Sequence, residues 1–465
     1  MLFSTLPFFV FLFAVLALHY ISPRPFRKYI LLAASYYFYM SWNPKFIALL
    51  LTLTAIDYTA AFWIARTHGA RRKLFLIVGL AGNLGFLGFF KYYNFLGDNL
   101  ALLMHRAPHA FAMAIILPLG ISFHTFQSMS YIVDVYREEQ EPIRNPIDYA
   151  LFIAFFPQLV AGPIVRAREF FADFYAWVTP NSEEILRGAL LIMLGLAKKM
   201  AFADQFAQIA DAYFTNVSAH PGALSAWRGV IAFALQIFFD FSGYTDMAIG
   251  MALLLGFHFP QNFRRPYLAF SITDFWHRWH MSLSRWLRDY LYISLGGNRH
   301  GTLKTYRNLM LTMLLGGLWH GASWNFVIWG AYHGALLSVE RMAGRKLFEQ
   351  RPNLLLYPFR AMLTFILVSV GWVFFRAATF ADSRYIIGQM FSGAAGHSDI
   401  LVPGWLIYMV AFAFMIALLE ERWEFTDRLA RGPAWAYAAA VIVLLLTVEL
   451  IGVTDKQIPF VYFQF

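Results

Sequence analysis

Between Arg307 and Glu340 the chain carries no Asp, Glu, Lys or Arg. Roughly 20 apolar residues are enough to cross a ~30 Å hydrocarbon core. A stretch this long therefore has to satisfy its own backbone hydrogen bonds, which points to helix in a membrane. His320 lies a third to halfway along it. An imidazole at that depth gives up water and needs a partner or a cavity, so it is either a helix-packing histidine bonded to a neighbouring carbonyl or part of a functional site. Gly316, Gly317 and Gly321 surround it and let a second backbone or a substrate approach closely. The rest of the composition agrees with a membrane: 59% of the 465 residues are hydrophobic, 19% aromatic and only 14% charged. The net charge of +10 raises nucleic acid as a partner, but the basic residues sit mostly in short loops between apolar runs. Lipid headgroups and the positive-inside rule account for them, and nucleic acid is not expected. With no cysteine there is no disulfide framework, no Cys-bound metal and no Cys nucleophile.

The segment before this run is basic and aromatic. Ser271 and Asp274 have the spacing of a capping box, so the sequence predicts a helix starting near Thr273. Phe275, Trp279, Leu283, Trp286, Leu287 and Tyr290 then share one face at helical spacing. His277, His280, Ser284 and Arg288 fall on a second face, and Arg278, Ser282, Arg285 and Asp289 on a third. Such a helix suits a membrane surface. Either it is an interfacial anchor, or its two imidazoles join His320 in a site. Residues 261–308 hold eight Lys/Arg against two Asp, a balance that fits anionic lipid or the phosphates of a donor molecule. There is no P-loop and no GxGxxG, so such phosphates would be held by side chains.

RWHMSLSRWLRDYLYISLGGNR followed by LLGGLWHG resembles the membrane-bound O-acyltransferase superfamily, and within it the bacterial branch that acetylates exopolysaccharides. LPLGISFHTFQSMSYIVDVYR (117–137), FPQLVAGPIVR (156–166), FDFSGYTDMAIG (239–250) and GWVFFRA (371–377) extend the likeness over most of the chain. The superfamily's paired histidines map to His280 and His320. The resemblance implies an all-α polytopic fold around a central channel, with acetyl-CoA as cytoplasmic donor. It also implies a periplasmic acetyltransferase or acceptor protein as partner and an exopolysaccharide, alginate first, as final acceptor. The expected location is the bacterial inner membrane. D-alanyl transfer to teichoic acid is the alternative within the superfamily. A proton-coupled transporter or flippase using His320 is the alternative outside it.

Apolar segments at about 29–42, 44–65, 74–96, 112–133, 148–163, 186–203, 227–256, 308–338, 357–375, 401–419 and 434–453 follow a first span near the N-terminus. About 10–12 membrane-embedded helices are expected, in a single domain covering 1–465. Arg24, Arg27 and Lys28 follow the first apolar segment, which favours an uncleaved span with its N-terminus outside the cytoplasm. Pro157, Gly162 and Pro163 predict a re-entrant break. Asp240 and Asp246 are either structural groups paired with arginine or hydroxyl partners or lining of a reaction chamber, and His124 is a chamber wall or a core hydrogen bond. His333 is expected on a different helix face from His320.

Attack of a hydroxyl on a thioester needs a proton acceptor and a donor for the developing oxyanion. His320 is the expected general base, and His280 the group that orients the donor or stabilises the oxyanion. Trp276, Trp319 and Trp324 are expected to shape the tunnel. Arg278, Arg285 and Arg288 would attract the donor's phosphates, with Asp289 and Asn298 beside them; no metal is expected.

Overall fold

The computed structural model of the chain describes residues 1–160, 162–393, 400, 402–454 and 458–463. Helices dominate, and there is no strand among the described residues. Six described helices are long and apolar enough to cross a membrane unaided: Pro44–Arg66, Gly69–Leu103, Ala223–Leu254, Tyr357–Arg376, Gly404–Trp423 and Ala434–Ile451. The all-α, multi-pass architecture expected from the apolar runs is thus present. The other expected segments are shorter, such as Leu6–Ile21, or carry polar residues, such as Thr302–His320.

The described residues form two compact units. The first comprises Met1–Gly188 and Ala248–Pro260; the second comprises Ala189–Met247 and Gln261–Phe465. In the first, Lys28 pairs with Asp148 at 2.7 Å and Arg72 with Glu138 at 2.6 Å. Phe152, Phe155, Phe170 and Phe257 form its aromatic core. The expected break near Pro157 occurs. The Pro146–Ala154 helix ends at Phe155, one turn follows over Phe156–Leu159, and the irregular backbone that continues is buried in protein. Burial against protein is what makes such backbone tolerable at depth. His124 is fully buried here, and neither ring nitrogen has a hydrogen-bond partner among the described residues. Of the two expected readings, the core hydrogen bond is not made among the described residues.

In the second unit the structure corrects the sequence twice. The basic segment is not one helix. Ile272–Arg278 and Met281–Trp286 are separate, and the residues from Leu287 to Tyr292 continue as a π-helix. The break falls at His280, in the left-handed conformation at φ 43°. A non-glycine residue there costs energy and persists only when its surroundings hold it. The start is as predicted: the Ser271 hydroxyl accepts from the Asp274 N–H at 3.0 Å. Three further donors at this start go to a residue far along the chain. Glu340 accepts from the Ile272 N–H at 2.6 Å, and from the Thr273 N–H and hydroxyl at 2.9 and 2.8 Å. Deleting a partner strands buried donors at about 1–3 kcal/mol. Glu340→Ala is therefore expected to lower the unfolding midpoint of the detergent-solubilised chain measurably, and Glu340→Gln, which keeps one acceptor oxygen, to lower it less.

The apolar run is not one span either. Thr302–His320 and Trp324–Glu349 are two helices joined by a bend at 321–323. A Cβ on Gly317 would sit 2.2 Å from the Phe326 carbonyl oxygen, and one on Gly330 would sit 2.3 Å from that of Met313. Of the three glycines expected to admit a second backbone, Gly317 does, and that backbone is the chain's own next helix; Gly316 and Gly321 face the Leu287 and Phe326 side chains. His320 becomes the last residue of its helix, not a mid-span residue.

Candidate functional site

His280 is fully buried, and Asn262 holds the strained turn around it. The Asn262 carbonyl accepts from the Met281 N–H at 2.9 Å. Its side-chain Oδ1 accepts from the Ser282 N–H at 3.1 Å and the Ser282 hydroxyl at 2.9 Å. The Ser282 N–H can only donate, so the Asn262 atom facing it is oxygen. The same oxygen lies 3.2 Å from His280 Nδ1. In neutral imidazole that contact requires Nδ1–H, which leaves Nε2 with the lone pair. Burial pushes the His280 pKa down to about 3, so the ring is neutral at physiological pH.

A histidine whose folded pKa lies below its unfolded value of about 6.5 favours folding fully above the unfolded pKa. It loses that contribution as pH falls toward the folded one. Stability of the solubilised chain is expected to decline from near pH 6.5 downward, and His280→Gln is expected to flatten that decline in an unfolding titration.

His320 is buried, and its ring lies 5.0 Å from Trp319, 5.1 Å from Trp329 and 5.1 Å from Phe375. Trp319 also touches His280, at 6.2 Å, so one buried indole borders both imidazoles. Phe241 closes the other side of His280, edge-on at 4.7 Å. His333, expected on a different helix face from His320, lies on the next helix, and Trp329 borders both rings, 4.9 Å from His333. Trp276 packs on Trp329 and His333, at 5.7 and 5.3 Å, one ring removed from His320.

The other predicted residues are dispersed. Trp324 is 58% exposed at the first residue of its helix. Arg278 is committed to Asp274 at 2.8 Å and Glu421 at 3.1 Å. Arg288 is largely exposed and pairs with Asp289 at 2.6 Å. Arg285 is half-buried on the Met281–Trp286 helix, and Asn298 is exposed in the turn that follows the π-helix. Asp240 and Asp246 are ion-paired with Lys199 at 3.0 Å and Lys198 at 2.5 Å.

Sequence reasoning missed Tyr462. Its ring stands 5.7 Å from His320, 4.6 Å from Phe241 and 6.2 Å from Phe375. It is the hydroxyl-bearing ring among the described ring contacts of His320. The only signal was the dense aromatic pattern of PFVYFQF after the last apolar run. Two buried imidazoles, an indole between them and a phenol beside one of them make a site suited to moving a proton from a hydroxyl in low dielectric.

Residues 136–376 match the model of the membrane-bound O-acyltransferase family. The chain is 46% identical to a probable alginate O-acetylase of Pseudomonas putida, over 84% of this chain and 80% of the relative. It is 40% identical to a peptidoglycan O-acetyltransferase of Helicobacter pylori, over 78% and 74%. It is 33% identical to a teichoic acid D-alanyltransferase of Bacillus subtilis, over 52% and 64%.

Proposed function

The chain belongs to the membrane-bound O-acyltransferase family, and from that premise we propose that it carries acetyl groups from cytoplasmic acetyl-CoA to an exopolysaccharide outside the bacterial inner membrane. The observation that carries the reading is the buried pair His280 and His320 sharing Trp319. Alginate is the first polymer, on the strength of the Pseudomonas relative. The acyl group leaves the chain for a periplasmic acetyltransferase or acceptor protein, and lipids surround the spans. We take 1–465 as a single catalytic domain, with the site residues in the second unit.

His320 is the general base. It takes the proton of the attacking hydroxyl, the oxygen bonds to the thioester carbonyl carbon, and the C–S bond breaks. The departing thiolate then receives that proton from the imidazolium. Tyr462 offers the first hydroxyl, giving an acyl-tyrosine that is passed outward. His280, with its lone pair on Nε2, accepts a hydrogen bond and orients; it does not donate to the oxyanion. That donor is Trp329, whose buried indole N–H has no partner among the described residues and whose ring lies 5.1 Å from His320. Trp319 shapes the passage with Trp276 outside it, and Trp324 lies at its rim. Arg285, with Arg288 and Asn298, meets the donor's phosphates, Asp289 orients the Arg288 guanidinium, and Arg278 braces the fold.

The test supplies purified protein with acetyl-labelled acetyl-CoA and an alginate acceptor. Loss of the thioester with label moving to protein or polymer is expected. An intact thioester alongside proton-coupled flux would replace this reading with transport. D-alanyl transfer is the second reading, because of the Bacillus relative; a D-alanyl thioester run in parallel separates the two by which label moves.

A further inference from the structure

The segment carrying Tyr462 is held in place by a buried ionic clasp. Lys199 and Asp240 are each about 1% exposed. Lys199 Nζ lies 2.6 Å from Asp204 Oδ1 and 3.0 Å from Asp240 Oδ1. The other Asp240 oxygen accepts from the Val461 N–H at 2.6 Å. Asp240 thus divides its two oxygens between a buried ammonium and the backbone immediately before Tyr462. The same stretch of chain secures this segment elsewhere. The Val453 N–H donates to the Met200 carbonyl at 3.1 Å, and the Gln205 side-chain amide donates to the Ile451 carbonyl at 2.7 Å. Phe460 and Val461 are fully buried. Lys199 and Met200 belong to the π-helical turn at 198–203. A π-turn inserts a residue into a helix and re-aims the side chains it carries.

A buried ion pair is a poor source of stability, because desolvating both charges cancels most of their attraction. Its better-attested use is to fix one arrangement among several. We propose that Asp240, charged and anchored by Lys199, is a positioning residue: it clasps the 458–463 segment and so sets the Tyr462 ring against His320. This rests on the proposed role of Tyr462 as acyl acceptor for its effect on turnover, but the clasp itself can be tested without turnover.

The chain has no cysteine, so Val461→Cys places a single thiol in the clasped segment while keeping the backbone N–H. In membranes holding the full-length chain, maleimide labelling of that thiol is expected to be at least about tenfold faster with Asp240→Ala, the scale of a lost hydrogen bond to a charged group. Asp240→Asn, whose amide oxygen still accepts, is expected to fall between the two. Equal labelling in all three overturns the clasp. A second variant, Val461→Pro, removes the N–H and leaves the Lys199–Asp240 ion pair intact, while fixing φ at 461 near a helical value. It is expected to lower kcat for acetyl transfer about tenfold or more, with KM for acetyl-CoA within twofold. An unchanged kcat overturns the positioning role. Faster labelling combined with normal transfer in Tyr462→Phe would keep the clasp and sink the acceptor role, so the two failures are distinct.

Discussion

His320→Ala is expected to reduce acetyl transfer by about 10²–10⁴-fold, the range general-base catalysis supplies. The chain should still insert in membranes and elute as the parent does. His320 ends its helix, and the bend after it is carried by Gly321 and the Ser323 N–H bonded to the Gly321 carbonyl at 3.0 Å. Its ring touches aromatic faces that remain packed on one another, since Phe375 lies 5.5 Å from Trp329 and 4.9 Å from Phe326. The substitution leaves a small cavity, and the cost falls on turnover. KM for the thioester is expected to change little, because the imidazole acts on the acceptor hydroxyl and not on the donor's handle. Single-turnover measurement with labelled acetyl-CoA reads this directly. Retained transfer would remove His320 from the chemistry and with it the mechanism.

Tyr462→Phe is the second large effect, and a narrower one. Phenylalanine keeps the ring contacts to Phe241, Phe375 and His320 and removes one oxygen. If that oxygen is the first acceptor, transfer to polymer falls by at least about 10³-fold, the scale on which a lone nucleophile matters. Labelled acetyl also ceases to be recovered on the chain. If Tyr462 only walls the chamber, both readouts stay within about threefold. Peptide mapping of acetyl-labelled protein, with hydroxylamine to release an ester, discriminates the two outcomes.

Much of the site's chemistry was legible residue by residue. The histidine without charged neighbours, the glycines beside it and the capping serine all carry local signatures; the serine caps and Gly317 meets a backbone as expected, while His320 ends a helix and does not lie mid-span. The helix through His280 was drawn straight because its apolar spacing is unbroken from Phe275 to Tyr290. Asn262 holds the break, and it leaves no mark on the pattern inside the segment. The uncharged run was drawn as one span because hydropathy does not record a reversal of direction. The reversal is a matter of glycine meeting backbone, at Gly317 and Gly330. Arg278 looked available for phosphate because Glu421, its partner, lies far along the chain.

By itself the sequence determined that this chain is helical, membrane-embedded and equipped with imidazoles where water is scarce. Hydropathy, backbone hydrogen bonding and capping act over a few residues, and a linear reading can sum them. The tertiary structure alone decided which groups meet: His280 and His320 across one indole, a phenol from residue 462, and an aspartate that holds that residue's backbone. Such meetings depend on close packing between segments distant in the chain, where shape and unpaired polar atoms select the partner and no local period encodes it.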